Sequence, residues 1–176
     1  MDEIKHFGNI YKNKKLFFIE KIKKEINPKK EITLELLFKK SKNGDSTEAF
    51  HNLCDNKGPT LTFIESSEGF IFGGYTPLDW SITDDWKSDD KTFLFSLSNN
   101  RIYKKLNVEK SIRCVRENGP WFAYLGVTNN SLSNGLYYSK KKTDFPFEDY
   151  SNIIPNEGKD RNFNVKEIEV FKIIFN

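Results

Sequence analysis

Two cysteines, two histidines and one methionine are all that 176 residues contain of the softer and more reactive side chains. Cys54 and Cys114 stand far apart with no C-x-x-C pair, so the sequence excludes a disulfide framework and suits a reducing interior. Long apolar runs are missing too. The longest near the N-terminus is Leu16 to Ile19, against the roughly 20 residues a membrane-spanning helix needs. No apolar stretch of secretory type follows Met1-Asp2-Glu3, so a soluble, cytoplasmic protein is expected and the Asn129-Asn130-Ser131 sequon reads as accidental. Neither charge sign dominates: 28 basic residues face 25 acidic ones, which leaves a net charge of +3 and little of the polycation expected of a nucleic-acid binder. Glycines are few and badly spaced for phosphate binding, since Phe72-Gly73-Gly74 has neither P-loop nor dinucleotide spacing.

What is present is enough apolar material for one core. Hydrophobic residues make up 37% of the chain and 16 of them are Phe. That length and content predict a single domain with a Phe-filled interior. Phe18, Ile19, Ile22 and Ile26, set among lysines, predict an amphipathic helix over 10–26 that Asn27-Pro28 stops, with a strand over KLFFIEKI, Lys15 to Ile22, as the alternative. Its basic face suits an anionic membrane or acidic partner; the plainer reading is a helix whose stripe packs on the domain while its lysines are solvated. Leu34 to Lys40 reads as a strand, followed by a turn at Ser41 to Asp45. Asp45 or Ser46 then caps a short helix that ends at Asn56 to Pro59, with Asp45 and Glu48 matching a capping box.

The stretch from Cys54 to Thr76 is the organising one. Thr60 to Glu65 alternates apolar and polar residues, Ser66 to Gly69 supplies a turn, and Phe70 to Tyr75 returns as its hairpin partner. Gly73 and Gly74 inside that strand predict a close approach by another group, with Trp80 the candidate. Thr83 to Lys91 reads as an acidic loop. Strands are expected at Thr92 to Leu97, Ile102 to Leu106, Ile112 to Arg116, Trp121 to Val127 and Leu136 to Ser139, then a long surface loop over 140–162. The final strand, Phe163 to Phe175, has no purely apolar face, which predicts a bulge near Glu167 or burial on both sides. About eight strands with few helices give a mainly β (α+β) fold: two packed antiparallel sheets, a β-sandwich flanked by short helices.

Candidate chemistry is sparse. His51 and Cys54 share a helix turn next to Asp55, but a zinc site or Cys-His nucleophile would have to recruit Cys114 or His6. The alternative is a small buried cysteine beside a surface histidine. Asp84, Asp85, Asp89 and Asp90 lack the alternation of an EF-hand loop and read as solvated, or as a contact for a basic partner. Glu167 and Glu169 lie two apart on one strand; an acid-base pair is one reading, and a structural carboxylate bonded to backbone or to Arg113 or Arg116 is the other. Lys140-Lys141-Lys142 beside Tyr137 and Tyr138 would suit phosphates and stacked bases, or simply a solvated charge run.

Several separated motifs also carry a family likeness. CDNKGPTL from Cys54 to Leu61, FGGYT, Trp80, FLFSL from Phe93 to Leu97, Gly119-Pro120 and KEIEVF from Lys166 to Phe171 occur in an order that resembles the TLDc domain. The resemblance implies an N-terminal helical extension over 1–30 and a TLDc-like domain over 31–176, a β-sandwich with flanking helices. It marks Cys54, Asp55, Gly58, Pro59, Gly73, Gly74, Trp80, Gly119, Pro120, Glu167 and Glu169 as motif positions of structural weight, and carries no catalytic residue, metal or cofactor. Trp121-Phe122-Ala123-Tyr124 departs from it with extra aromatics after the Gly-Pro. The family comprises eukaryotic oxidation-resistance proteins, several of which bind the vacuolar proton-pumping ATPase (V-ATPase). A noncatalytic interaction domain in the oxidative-stress response, meeting peripheral-sector subunits of that pump, is therefore the expectation. A basic nucleic-acid-binding stress regulator is the alternative, and a redox enzyme built on Cys54 the third reading.

Overall fold

The computed structural model describes residues 16–128, 131–137, 147, 153 and 161–176. Among the described residues, three helices, α1 (Leu16–Ile26), α2 (Lys40–Asn43) and α3 (Thr47–Cys54), accompany eleven strands. The strands are β1 (Ile32–Lys39), β2 (Thr60–Ser66), β3 (Ile71–Thr76), β4 (Asp85–Lys87), β5 (Phe93–Ser96), β6 (Arg101–Tyr103), β7 (Ile112–Cys114), β8 (Trp121–Phe122), β9 (Leu125–Thr128), β10 (Asn134–Tyr137) and β11 (Arg161–Phe175). Every pairing is antiparallel, in the order β4-β7-β8-β9-β10-β11-β2-β3-β5-β6, with β1 added to β11.

The 15-residue β11 joins two halves of this sheet. Its first residues, Arg161 to Asn164, pair with β10, and those from Val165 onward pair with β2 and β1. A register shift between Val165 and Glu167 marks the handover, which is the bulge the mixed pattern of this strand predicts. The two halves face each other across one apolar cluster. Phe38, Ile64, Phe72, Leu94, Ile168 and Val170 come from one side and Ile112, Phe122, Leu125, Val127 and Phe163 from the other. The result is the β-sandwich expected of the sequence, made from a single folded sheet.

A second cluster lies on the outer face of the larger half. Leu61, Phe63, Tyr75, Phe93, Phe95, Phe171 and Ile173 are covered there by Phe18, Ile19 and Ile22 of α1. Burying each of those three helix side chains contributes about 1.5–3 kcal/mol, so the stripe is core. Asn27 ends the helix, its Oδ1 accepting from the amides of Lys29 and Lys30. A Lys104–Glu25 ion pair at 2.8 Å links α1 to the end of β6.

Several local expectations change. The stretch after β1 is a helical turn, α2, rather than an open turn. Ser46, and not Asp45, caps α3: its Oγ accepts from the Ala49 amide at 3.1 Å, which leaves Glu48 out of capping-box position. The acidic loop contains β4, because Asp85 to Lys87 pairs with β7. Trp121 to Val127 is not one strand but β8 and β9, separated by a tight reversal with Ala123 at φ +47°. Residues 10–15 of the first helix, most of the 140–162 loop, the three-lysine run, Tyr138 and His6 lie outside the described residues.

Candidate functional site

The densest set of motif residues surrounds the C-terminal end of α3. Ser46 starts this helix, and its Thr47, Phe50, His51 and Cys54 are buried. Phe50 sits edge-on to Phe38 and Trp80, with ring centres 6.0 and 5.6 Å apart. Trp80 continues the chain of rings to Phe122 at 5.3 Å, perpendicular to it. The indole N–H of Trp80 donates to Thr60 Oγ1 at 2.9 Å, which satisfies the one polar atom this ring takes into the core.

The glycines make room for these rings. A Cβ on Gly74 would fall 2.7–2.9 Å from three carbons of Phe122, so the close neighbour predicted for this strand is Phe122 and not Trp80. Gly73 is closed on its other face, where a Cβ would overlap Thr62 O. Gly58 packs against the Leu78 carbonyl, and the neighbouring Pro59 accepts from the Ile173 amide at 3.0 Å. Gly119 lies against Leu132 and Val127. Of the extra aromatics where the sequence departs from the family pattern, Phe122 thus fills the space above Gly74, while Trp121 packs against Gly126.

His51 is buried, contrary to the surface position expected of it. Its Nε2 donates to the carbonyl oxygens of Asn118 and Val115, at 3.1 and 3.3 Å. Its Nδ1 lies 2.8 Å from Asp55 Oδ1. The ring therefore ties the end of α3 to the turn that carries Gly119-Pro120, and Asp55 closes the helix with its own amide on His51 O. Cys54 points away from this pair into the core, fully buried. Burial, with help from the Asp55 carboxylate, raises its thiol far above the ordinary range. Cys114 is likewise buried, and burial pushes its thiol up to about 12, with Lys87 opposing the rise and Asp79 and Asp55 adding to it. A thiol held protonated in this way is a poor nucleophile and a poor metal ligand. No group of three or more His, Cys, Asp or Glu side chains converges on a metal-sized space among the described residues.

Glu169 belongs to the opposite face. Its side chain is fully buried and Oε1 accepts from Lys39 Nζ at 2.8 Å; neither Arg113 nor Arg116, the expected partners, reaches it. Oε2 has no hydrogen-bond partner. Desolvation raises the carboxyl above its usual range while Lys39 pulls it down, and the nearby Glu167 and Glu65 add to the rise. Glu167 accepts from the Ser41 and Ile168 amides at 3.0 and 3.1 Å, so it fastens α2 to the bulge of β11. Both glutamates are thus bonded as structural groups. Sequence reasoning missed Lys39 because its partner is 130 residues away and only the β1–β11 register sets them side by side.

A family model for the TLDc domain matches residues 5–174. The chain belongs to the TLDc family. Proteins named MTOR-associated protein MEAK7 are similar to it in sequence. That of Danio rerio is 31% identical over 101 residues, covering 57% of this chain and 20% of the relative. That of Xenopus laevis is 32% identical over 104 residues, with the same coverage. That of Mus musculus is 29% identical over 104 residues, again 57% and 20%. The chain therefore spans about a fifth of the length of these relatives. The TLDc motif residues form a structural frame: Trp80 and Gly74 meet at Phe122 with Cys54 in the same apolar cluster, Asp55 and the Asn118 carbonyl next to Gly119-Pro120 meet at His51, and Glu169 stands apart with Lys39.

Proposed function

We propose that this TLDc chain is a noncatalytic protein-interaction domain that binds the peripheral sector of the vacuolar proton-pumping ATPase as part of an oxidative-stress response. One observation carries the noncatalytic part. Among the described residues, Cys54, Cys114 and Glu169 are buried inside the frame, and His51, which borders an open pocket with Asp55, Glu48 and Arg116, has both ring nitrogens bonded within it. A chain whose reactive groups are spent on its own packing acts by the surface its loops and flanking helices present. The choice of partner rests on family membership, and the association with MTOR named in its relatives is a protein-protein function of the same general kind.

The test is a pull-down from lysate at two salt concentrations, with and without nuclease. Peripheral-sector subunits are expected to co-purify at near-physiological salt and to survive moderate salt. An association with polyanions alone fades as screening shortens the reach of each charge to about 8 Å. Absence of pump subunits from every lane, with nucleic acid retained, would replace this reading by a nucleic-acid-binding regulator.

A further inference from the structure

The longest open sheet edge among the described residues is that of β1. β4 and β6, which end the two halves of the sheet, have three residues each, whereas β1 has eight and pairs on one side only, with β11. Which backbone groups face outward follows from the bonds at its start. The Asn176 amide donates to Glu31 O at 3.0 Å, and Ile173 on the same strand donates the other way, to Pro59 O. Antiparallel pairing alternates, so Glu31, Thr33 and Glu35 bond inward, toward Asn176, Ile174 and Lys172. Ile32, Leu34 and Leu36 then turn their amides and carbonyls away from the sheet. The bulge between Leu36 and Phe38 reverses the phase, and Asn43 Oδ1 accepts from the Lys39 amide at 2.8 Å. The open edge is therefore a five-residue template, stopped at its C-terminal end by a side chain of α2.

We propose that this edge takes an extended segment of a partner protein as an added strand, with alternating apolar residues at its centre and acidic residues at both ends. Side chains of such a strand on the α1 side continue the row of Ile32, Leu34 and Leu36, which asks for apolar residues there. Lys29 and Lys30 precede the template, and Lys40 and Lys42 follow it in α2; Lys29 and Lys42 are exposed. Exposed Glu31 offsets part of the charge of Lys29 and Lys30, and the central Glu35 faces Lys172 in register, so the edge keeps a net positive charge at each end and is nearly neutral at its centre. That charge pattern disfavours a second copy. Two-fold pairing centred on Leu34 would bring the exposed Lys29-Lys30 end of one copy toward the exposed Lys42 end of the other, like charges near each other. Edge strands left open in this way are ready-made for pairing, and the lysines and bulge select which chain adds. The inference rests on the interaction-domain reading, but not on the pump as the partner.

The experiment uses the full chain and a short soluble peptide with valine and threonine alternating at its centre and glutamates at both ends. Hydrogen exchange at single amides is followed as the peptide is added. Saturable protection of Leu34 and Leu36 is expected, with no protection from a peptide N-methylated at the amides that would face β1. Lys29→Glu with Lys42→Glu should weaken binding about fivefold, the scale of two exposed ion pairs. Leu34→Pro removes an outward donor without breaking a β1–β11 bond and should abolish binding; the N-methylated peptide answers the same question should that variant not fold. Equal binding of the methylated peptide, or protection elsewhere with none at β1, overturns the proposal. So does concentration-dependent protection of Leu34 and Leu36 in the free chain, which would give the edge to a second copy. Pump subunits that co-purify with a folded Leu34→Pro chain leave the interaction reading standing while removing this edge as its route. Pump subunits absent from the wild-type pull-down overturn that choice of partner while peptide protection at β1 stands.

Discussion

Glu169 and Gly74 show how single positions hold this fold by opposite means. Glu169 is a buried charge with one bonded oxygen, and its companion Lys39 is mostly buried beside it. Removing the cation alone should cost most: Lys39→Met leaves an uncompensated carboxylate and should destabilise by about 3 kcal/mol, whereas Lys39→Met with Glu169→Leu should recover much of the loss. Urea titration of the four proteins of that cycle measures it. The pH dependence has a definite sign. The folded-state pKa of Glu169 is raised, so its contribution to stability is complete below the ordinary carboxylate range and is lost as pH rises through the raised value. Thermal melts from acid to neutral pH should therefore show the wild type losing ground to Glu169→Gln, and parallel melts would contradict that burial dominates. At Gly74 the constraint is steric, because φ is not positive there and the contact is the Phe122 ring. Gly74→Val should cost several kcal/mol, about 3 as an order of magnitude, and Phe122→Leu in the same chain should return part of it. A melting temperature within about a degree of the wild type would refute the contact, since 1 kcal/mol already moves it by a few degrees.

At the scale of the element, α3 is the instructive case. Eight residues are too few for a helix to stand alone, so its stability comes from Phe50 and Cys54 in the core and from bonds at its two ends. Ser46 at the start and His51-Asp55 at the finish supply those bonds. Ser46→Ala should lower stability by about 1 kcal/mol, while Asp45→Ala should change it little, a comparison chemical denaturation resolves. The spacing of Asp45 and Glu48 misled the capping-box reading. Ser46 is an equally good cap, and the extended backbone at Ser46, set by Gly44 at φ +101° and the preceding turn of α2, decides between them. The long β11 is different: its mixed faces are legible in sequence as a bulge, but not as a strand shared by two halves of a sheet.

For the molecule as a whole, the two apolar layers imply one cooperative unit, with Cys54 on α3 and Cys114 on β7 in the same cluster. Both thiols should then react with a bulky reagent only when the core opens, at similar rates that fall together as the fold is stabilised. Rapid stoichiometric labelling of Cys54 in the native chain, with peroxide turnover lost in Cys54→Ser, would instead revive a redox enzyme. The outer layer makes α1 part of this unit: Ile22→Ala should cost about 2–4 kcal/mol, a core-sized loss that a loosely attached helix would not show in a denaturation curve.

The division between what was legible in the chain and what was not follows the range of the interactions. Apolar alternation, the β2–β3 turn and the helix stop at Asn27-Pro28 depend on neighbours a few residues away, so the mainly β sandwich, the central hairpin and most strand positions are written in local pattern. The motif order likewise carried the family. The site depended on distant partners. Lys39 meets Glu169 across 130 residues, Phe122 fills the space above Gly74, and His51 reaches the carbonyls of Val115 and Asn118 more than sixty residues on. Sequence fixes which side chains are able to bond or pack, through their chemistry and period. Only the closure of β11 against β1, β2 and β10 selects which of them meet, because register is a property of two strands together.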